Sequence, residues 1–320
     1  NIGGISGLVT SGLKGLDDIE PEEMAELEYG VDGSVMNGLL GFEFTLYNQT
    51  ITGLLLEVEE APSTGYTTKW ANAGDMETNG LELDLVFNPV RTKSMNWVSR
   101  LSYYTTESKI TRLAVDPYNT GGFATFLGAY RIQKDWSPHT MVGSEMEDNG
   151  DHTVLGNETP DYIMGLNNRL QFGPFSLVAH IDIKEGGDII NLQKLISDLG
   201  GTTYDYDTKT LDLDEDGTKS GNGNERLTVL GSITDPYIED GSYVRLSELS
   251  LNYDVPKSML GGLVSSMQLG ISARDWWIST DYTGWNPDVS QFGNVAVGGS
   301  VDTGPYPMSK ALYFNVSVGL

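Results

Sequence analysis

The chain has 320 residues and a formal net charge of −26, with 39 glycines, 16 tyrosines, three histidines and no cysteine. Such acidity excludes a nucleic-acid partner, because phosphates need lysine and arginine to neutralise them, and the missing cysteines exclude a disulfide framework and a thiolate metal site. No stretch approaches the roughly 20 consecutive apolar residues of a membrane helix, and the mean hydropathy is slightly negative at −0.24.

Residues 1–15 lack the basic and apolar regions of a signal peptide. From there on, alternation of apolar and polar residues, the period of a strand with two unlike faces, predicts nine strands. Weak copies open the series at 24–34, where Ala25, Leu27, Tyr29 and Val31 share a face, and at 42–52, with Phe42, Phe44 and Leu46. The signal strengthens at 79–88, where Leu81, Leu83, Leu85 and Phe87 oppose Glu82 and Asp84, and at 95–107, where Met95, Trp97, Leu101 and Tyr103 oppose Asn96 and Arg100. It returns at 161–172, through Met164, Leu166, Leu170 and Phe172, and at 175–184, through Phe175, Leu177, Ala179, Ile181 and Ile183. Within 241–254 the apolar phase slips between Val244 and Leu246 on one side and Leu249, Leu251 and Tyr253 on the other. That slip requires a β-bulge. Strands at 265–275 and 309–320 complete the series, the last with Leu312, Phe314, Val316, Val318 and Leu320 on one face.

The connections alternate in length. Tight ones contain Asn37-Gly38, Asn88-Pro89, Gly173-Pro174 and the segment 255–262, all plausible turn chemistry. Long ones fall at 53–78, 108–160, 185–240 and 276–308. Outer-membrane barrels keep this order, with short periplasmic turns and long extracellular loops, and their strands escape hydropathy scans because only every second residue meets lipid. The expected fold is therefore all-β: an antiparallel transmembrane β-barrel, of which residues 1–320 form one segment. With a periplasmic C-terminus, the four long loops are extracellular and residues 1–21 begin outside the cell. An odd number of strands cannot close an even-stranded bacterial barrel, so the chain reads as the C-terminal portion, about nine or ten strands, of a larger one. A further wall strand near Gly122–Tyr130 would change that parity.

Polar strand faces put Glu26, Glu28, Glu82, Asp84, Arg100, Arg169, His180, Asp182, Lys184 and Arg274 toward the barrel interior. His180 and Asp182 share a face, but no serine or second histidine completes a catalytic set, so no enzyme activity is expected. Asp212, Asp214, Asp216 and Gly217 fit the opening D-x-D-x-D-G of a calcium loop. Gly223 occupies the twelfth position, where a bidentate glutamate is required, and Glu225 comes two places late. Either a calcium site or a solvated acidic loop fits this pattern; no other cofactor is expected. Trp276, Trp277, Tyr282 and Trp285 cluster beyond the strand at 265–275. Their rings suit an interfacial girdle or, for Tyr282 and Trp285, stacking on a bound sugar or peptide.

Several segments resemble one family. Glu20-Pro21-Glu22-Glu23 followed by Glu26, Glu28, Gly30 and Asp32 is similar to the "PE…E.E.G.D" segment of SusC/RagA-type TonB-dependent transporters. So are Asn79-Gly80-Leu81-Glu82, Pro160-Asp161-Tyr162 with Gly165-Leu166-Asn167-Asn168, Gly186-Gly187-Asp188, and Asp240-Gly241-Ser242-Tyr243-Val244-Arg245-Leu246 running to Pro256. Tyr282-Thr283-Gly284-Trp285-Asn286-Pro287-Asp288-Val289 looks like the family's "Y.G.DPEV" loop, with Asn286 at a common acid position and Asp288 for the usual glutamate. Leu320 ends the chain where an aromatic is usual. The resemblance implies a barrel of about 22 strands in the bacterial outer membrane, filled by an N-terminal plug that is absent here. It also implies import of oligosaccharides or peptides driven by the TonB complex, with a SusD-like lipoprotein lid. From the residues alone, a soluble β-rich carbohydrate-binding or adhesion module is the alternative.

Overall fold

The computed structural model describes residues 12–15, 18–290 and 297–320. The reading of residues 1–11 and 16–17, and of 291–296 within the last long connection, lies outside the described residues.

Nine long strands form one antiparallel sheet in chain order: β1 (Glu23–Val35), β2 (Leu40–Glu59), β3 (Thr68–Arg91), β4 (Met95–Leu113), β5 (Pro160–Phe172), β6 (Phe175–Gly186), β7 (Tyr243–Asp254), β8 (Ser266–Ser279) and β9 (Ala311–Gly319). A two-residue strand at Leu13–Lys14 adds to β3 in parallel. Register turns the separate alternations into continuous stripes. Val31, Phe44, Leu83, Tyr103, Met164, Ile183 and Val244 are partnered in sequence across seven strands. The next stripe joins Phe42, Leu85, Leu101, Leu166, Ile181, Leu246 and Trp277. A slip of one residue in any strand would break every stripe it crosses.

Among the described residues, none covers this apolar face. Phe314 is 75% exposed and Val316 64%, and Leu27, Tyr29, Val31, Leu249 and Leu251 are also exposed. Lipid is the solvent such a face requires, since a soluble sheet would bury it against a second layer. Asn168 and its register partner Ser99 interrupt the apolar side of β5 and β4, and the Asn168 Oδ1 accepts a hydrogen bond from Trp97 Nε1 at 3.1 Å, as a carbonyl without water must.

The bulge required by the phase slip in β7 is present. Leu246 pairs with Ile181 and Glu248 with His180, which leaves Ser247 unopposed, and its hydroxyl donates to the His180 carbonyl at 3.2 Å. Across β8 the same step is taken up at Asp275, whose φ is 49°. Asn37-Gly38 also turns as its chemistry demands, with left-handed φ of 56° and 79°.

One expected loop is corrected. Instead of a long connection at 53–78, β2 and β3 stay paired up to Glu59 and Thr68, so only 60–67 remain as a turn. The reason lies in the outward face. Above Leu81 it turns polar, where Asn48 donates to Glu77 Oε1 at 2.6 Å and to Asn79 Oδ1 at 2.8 Å. The ladder continues in water, but apolar alternation stops at the lipid edge.

The other long connections are not structureless. Short strands at Tyr118–Thr120, Ala129–Ile132, Thr140–Met146 and His152–Asn157 form a separate four-stranded sheet, so the stretch near Gly122–Tyr130 adds nothing to the wall. Ile189–Asn191 lies between Ile238–Glu239 and Val301–Asp302, and two helices follow, α1 (Leu192–Leu199) and α2 (Asn222–Thr228). Leu127, Tyr130, Met141, Ile190, Leu195, Tyr237, Ile238 and Val301 close into one dry cluster. The buried core thus sits in a lobe at the long-loop end, built from three connections far apart in sequence.

Candidate functional site

The lobe is held by charge as well as by apolar packing. Arg226, on α2, is almost fully buried and donates to Asp198 through Nε and Nη2, both at 2.7 Å, and to Asp205 through Nη1 and Nη2, both at 2.9 Å. Tyr237 donates its hydroxyl to Asp198 Oδ2 at 3.2 Å. Hydrogen bonds from Arg226 hold the Asp205 carboxyl below its usual range. All donors and acceptors of this cluster face one another, which makes it internal structure and not a ligand site.

The Gly186-Gly187-Asp188 motif is the exit from β6. Both glycines are left-handed, at φ of 73° and 78°, and Asp188 Oδ2 accepts the Asn157 N–H at 2.7 Å. Burial pushes the Asp188 carboxyl up, against the opposing effect of that hydrogen bond. Gly241 explains its own motif by close approach: a Cβ there would lie 2.2 Å from the Gly187 carbonyl oxygen.

The two aromatic candidates separate. Tyr282 is only 5% exposed, its hydroxyl donates to buried Asp302 at 2.7 Å, and burial pushes the phenol up. It therefore serves as an anchor beneath the loop and presents no ring face to a ligand, a correction to its expected substrate-binding role. Gly284 leaves room for that ring, since a Cβ would come within 2.4 Å of it. Trp285 is thrown outward at 69% exposure. Thr283 is fixed to Glu239 through its N–H at 2.9 Å, and Asp288 to Arg245 of β7 at 2.9 Å, while Lys184 donates to the Pro287 carbonyl at 3.3 Å. Three ties thus hold Trp285 above the wall. Trp277 ends an apolar stripe beside Leu246, the position of an interfacial girdle residue, and Trp276 falls in the bulged step next to it.

Sequence reasoning missed Tyr204 and Tyr306, which are 80% and 91% exposed. Tyr204 and Trp285 border one cavity of about 590 Å³ with Gln193, Lys194, Ser197 and Thr283. Trp285 and Tyr306 border a second of about 200 Å³ with Met308. Isolated tyrosines in polar loops give no periodic signal.

Asp212, Asp214 and Asp216 do converge, with one carboxylate oxygen of each within 4.8 Å of the others. Asp214 and Asp216 each accept a backbone N–H two residues on, from Asp216 and Thr218. Glu225 is spent elsewhere, on Leu213 N at 3.3 Å and on Ser220 N and Oγ at 2.8 and 2.7 Å. With one oxygen from each, the three carboxylates supply three of the six to eight oxygens calcium takes, and the remainder would fall to backbone carbonyls and water. On the wall's polar face, Asp32, Glu43 and Asp84 are partnered across β1 to β3, and His180 pairs with Asp182 at 2.9 Å.

An antiparallel wall with an uncovered apolar face, a charged opposite face and a folded lobe at one end defines an outer-membrane β-barrel segment. The sequence profile described as "TonB dependent receptor-like, beta-barrel" matches residues 3–274, and the chain belongs to that family. TonB-dependent receptor P3 of Formosa agariphila is 24% identical over 343 residues, covering 91% of this chain and 33% of the relative. TonB-dependent receptor P26 of the same organism is 25% identical, over 93% of this chain and 34% of the relative. The chain spans about a third of the length of the curated relatives it matches. Among solved structures, the RagAB peptide transporter superposes with a TM-score of 0.69 at 19% identity, over 92% of this chain and 35% of that one. The RagAB peptide importer in its closed-closed state gives 0.68 at 18% identity, over 92% and 35%. The resemblance to SusC/RagA-type transporters read from the motifs is borne out.

Proposed function

We propose that the chain is a barrel portion of an importer that carries oligosaccharides or peptides across the outer membrane, powered by the TonB complex. The lobe faces the cell exterior, and a SusD-like lipoprotein closes over it. An N-terminal plug occupies the lumen against the charged inner face, and ligand binds noncovalently between plug, lobe and lid with no reaction catalysed. The observation that carries this reading is the pair of uninterrupted apolar stripes left open to lipid. The kinship of the chain to TonB-dependent receptors supports the energy source, and its fold likeness to RagAB supports the lipoprotein lid.

Deletion of the full-length gene, followed by uptake of labelled oligosaccharides and peptides with and without a protonophore, tests it. Loss of uptake on deletion and on collapse of the proton gradient is expected, together with co-purification of a lipoprotein. Uptake that survives protonophore treatment would reduce the protein to a passive pore and overturn the proposal.

A further inference from the structure

We propose that the lipid-facing wall around Asn168 is an interface inside the membrane, on which a second copy of this chain docks face to face. The inference goes beyond import and rests on the lipid-exposed wall, not on what is transported.

The first observation is depth. On the outward face of β4 to β7, five rows of side chains lie between two aromatic edges. Tyr103 stacks on Tyr162 with ring centres 5.4 Å apart at one edge, and Phe175 meets Tyr253 at 4.9 Å at the other. Aromatic rings of this kind mark the two interfaces of the hydrocarbon layer. The middle row joins Phe87, Ser99, Asn168, Ala179 and Leu249. Four residues of strand separate Asn168 from Met164 in one outer row and from Phe172 in the other, about 13 Å each way, which puts its amide close to the midplane.

The second is an unmet hydrogen-bonding demand. An indole can only donate, so the bond from Trp97 Nε1 fixes Asn168 with Oδ1 toward the ring and the amide nitrogen away from it. Among the described residues, neither that nitrogen nor the Ser99 hydroxyl has a hydrogen-bond partner. Hydrocarbon offers none, and a dry polar group without a partner is costly. Lipid headgroups and esters carry acceptors, but they lie at the edges of the layer. A polar side chain kept at this depth marks a contact with something that brings its own acceptor.

The third is self-complementarity. A carboxamide donates and accepts at once, and its oxygen has a second lone pair beyond the one that Trp97 uses. Across a two-fold axis the Asn168 nitrogen of each copy reaches the Oδ1 of the other, so one patch satisfies both. Ser99 and Ala179 on either side are short, which recesses the row and lets two walls approach closely, as small residues beside a polar one do between membrane segments. Four strands by five rows measure about 19 Å by about 27 Å. That is on the order of 500 Å² per copy and about 1,000 Å² for the pair, the lower bound of a specific interface.

The test uses the full-length transporter in outer membranes, in a background otherwise free of cysteine. Leu170→Cys places a thiol beside the patch, and Phe314→Cys places one on the same lipid-facing side, four strands away. A short bifunctional thiol reagent should join the first into a dimer and leave the second monomeric. Sedimentation equilibrium of the purified protein in detergent should give a dimer whose dissociation constant rises roughly 10-fold in Asn168→Leu, for the loss of two symmetry-related hydrogen bonds, and the cross-linked yield should fall with it. Unchanged heat-modifiable gel mobility shows that Asn168→Leu still folds. A monomer in the membrane, equal cross-linking at both positions, association untouched by Asn168→Leu, or a cross-link to a protein of different mass each overturns the proposal. Uptake by a monomer would leave the import reading standing, and a dimer that imports nothing would leave this interface standing, so the two failures are distinguishable.

Discussion

Leu83 and Glu82 are neighbours on β3 that meet opposite solvents, and reversing their chemistry gives the sharpest test of the wall. Leu83 sits between Phe44 and Tyr103 in the middle of an apolar stripe, two residues from Leu81 and Leu85 on the same face. Glu82 lies between Thr45 and Tyr104 on the opposite face. An arginine at the bilayer midplane of a barrel costs about 2–4 kcal/mol, which corresponds to a folded population lower by about 30- to 900-fold. Leu83→Arg should therefore depress the folding midpoint in guanidinium strongly, whereas Glu82→Arg, facing the lumen, should leave it nearly unchanged. The assay is refolding of the full-length protein into liposomes, read by the heat-modifiable gel shift. Equal loss for both variants, or equal tolerance, would refute the facing assignment and with it the lipid-exposed wall.

Arg226→Ala should unravel the lobe while the wall stays folded. It strands the buried Asp198 without its cation, a loss of about 3–5 kcal/mol for a broken buried pair, and limited proteolysis within 185–240 should rise sharply. Because Arg226 holds Asp205 below the ordinary carboxylate range, the stability from that pair is fully present above the unfolded value and disappears as pH falls through the lowered one. Protease resistance of the lobe should accordingly drop in acid. Asp188 titrates the other way: burial raises it, so its charge weighs against folding at high pH and the penalty vanishes as pH falls. Asp188→Asn, which can still accept the Asn157 N–H, should match or exceed the native protein in lobe melting at pH 8 and lose any advantage near pH 4. Chelation should leave the protease pattern around 212–217 unchanged, since Glu225 is committed to Leu213 and Ser220; protection that depends on added calcium would contradict this.

The nine wall strands were legible because each wall residue meets one of two unlike solvents, and a period of two is local information that every strand carries by itself. Even the bulge could be read, as the phase slip after Leu246. Legibility ended at the lipid edge: once the outward residues became Asn79 and Glu77, both faces were wet, and the paired ends of β2 and β3 resembled a loop. The lobe was illegible for a related reason. Its strands run from two to seven residues, too short for a period to register, and its core joins Tyr130, Ile190 and Val301 from three distant connections. Tyr282 and Trp285, three residues apart in one motif, looked equivalent as aromatics. Only the tertiary contact of Tyr282 with Asp302 buries one ring and sends the other into solvent, because burial depends on which distant carboxylate the fold brings within reach.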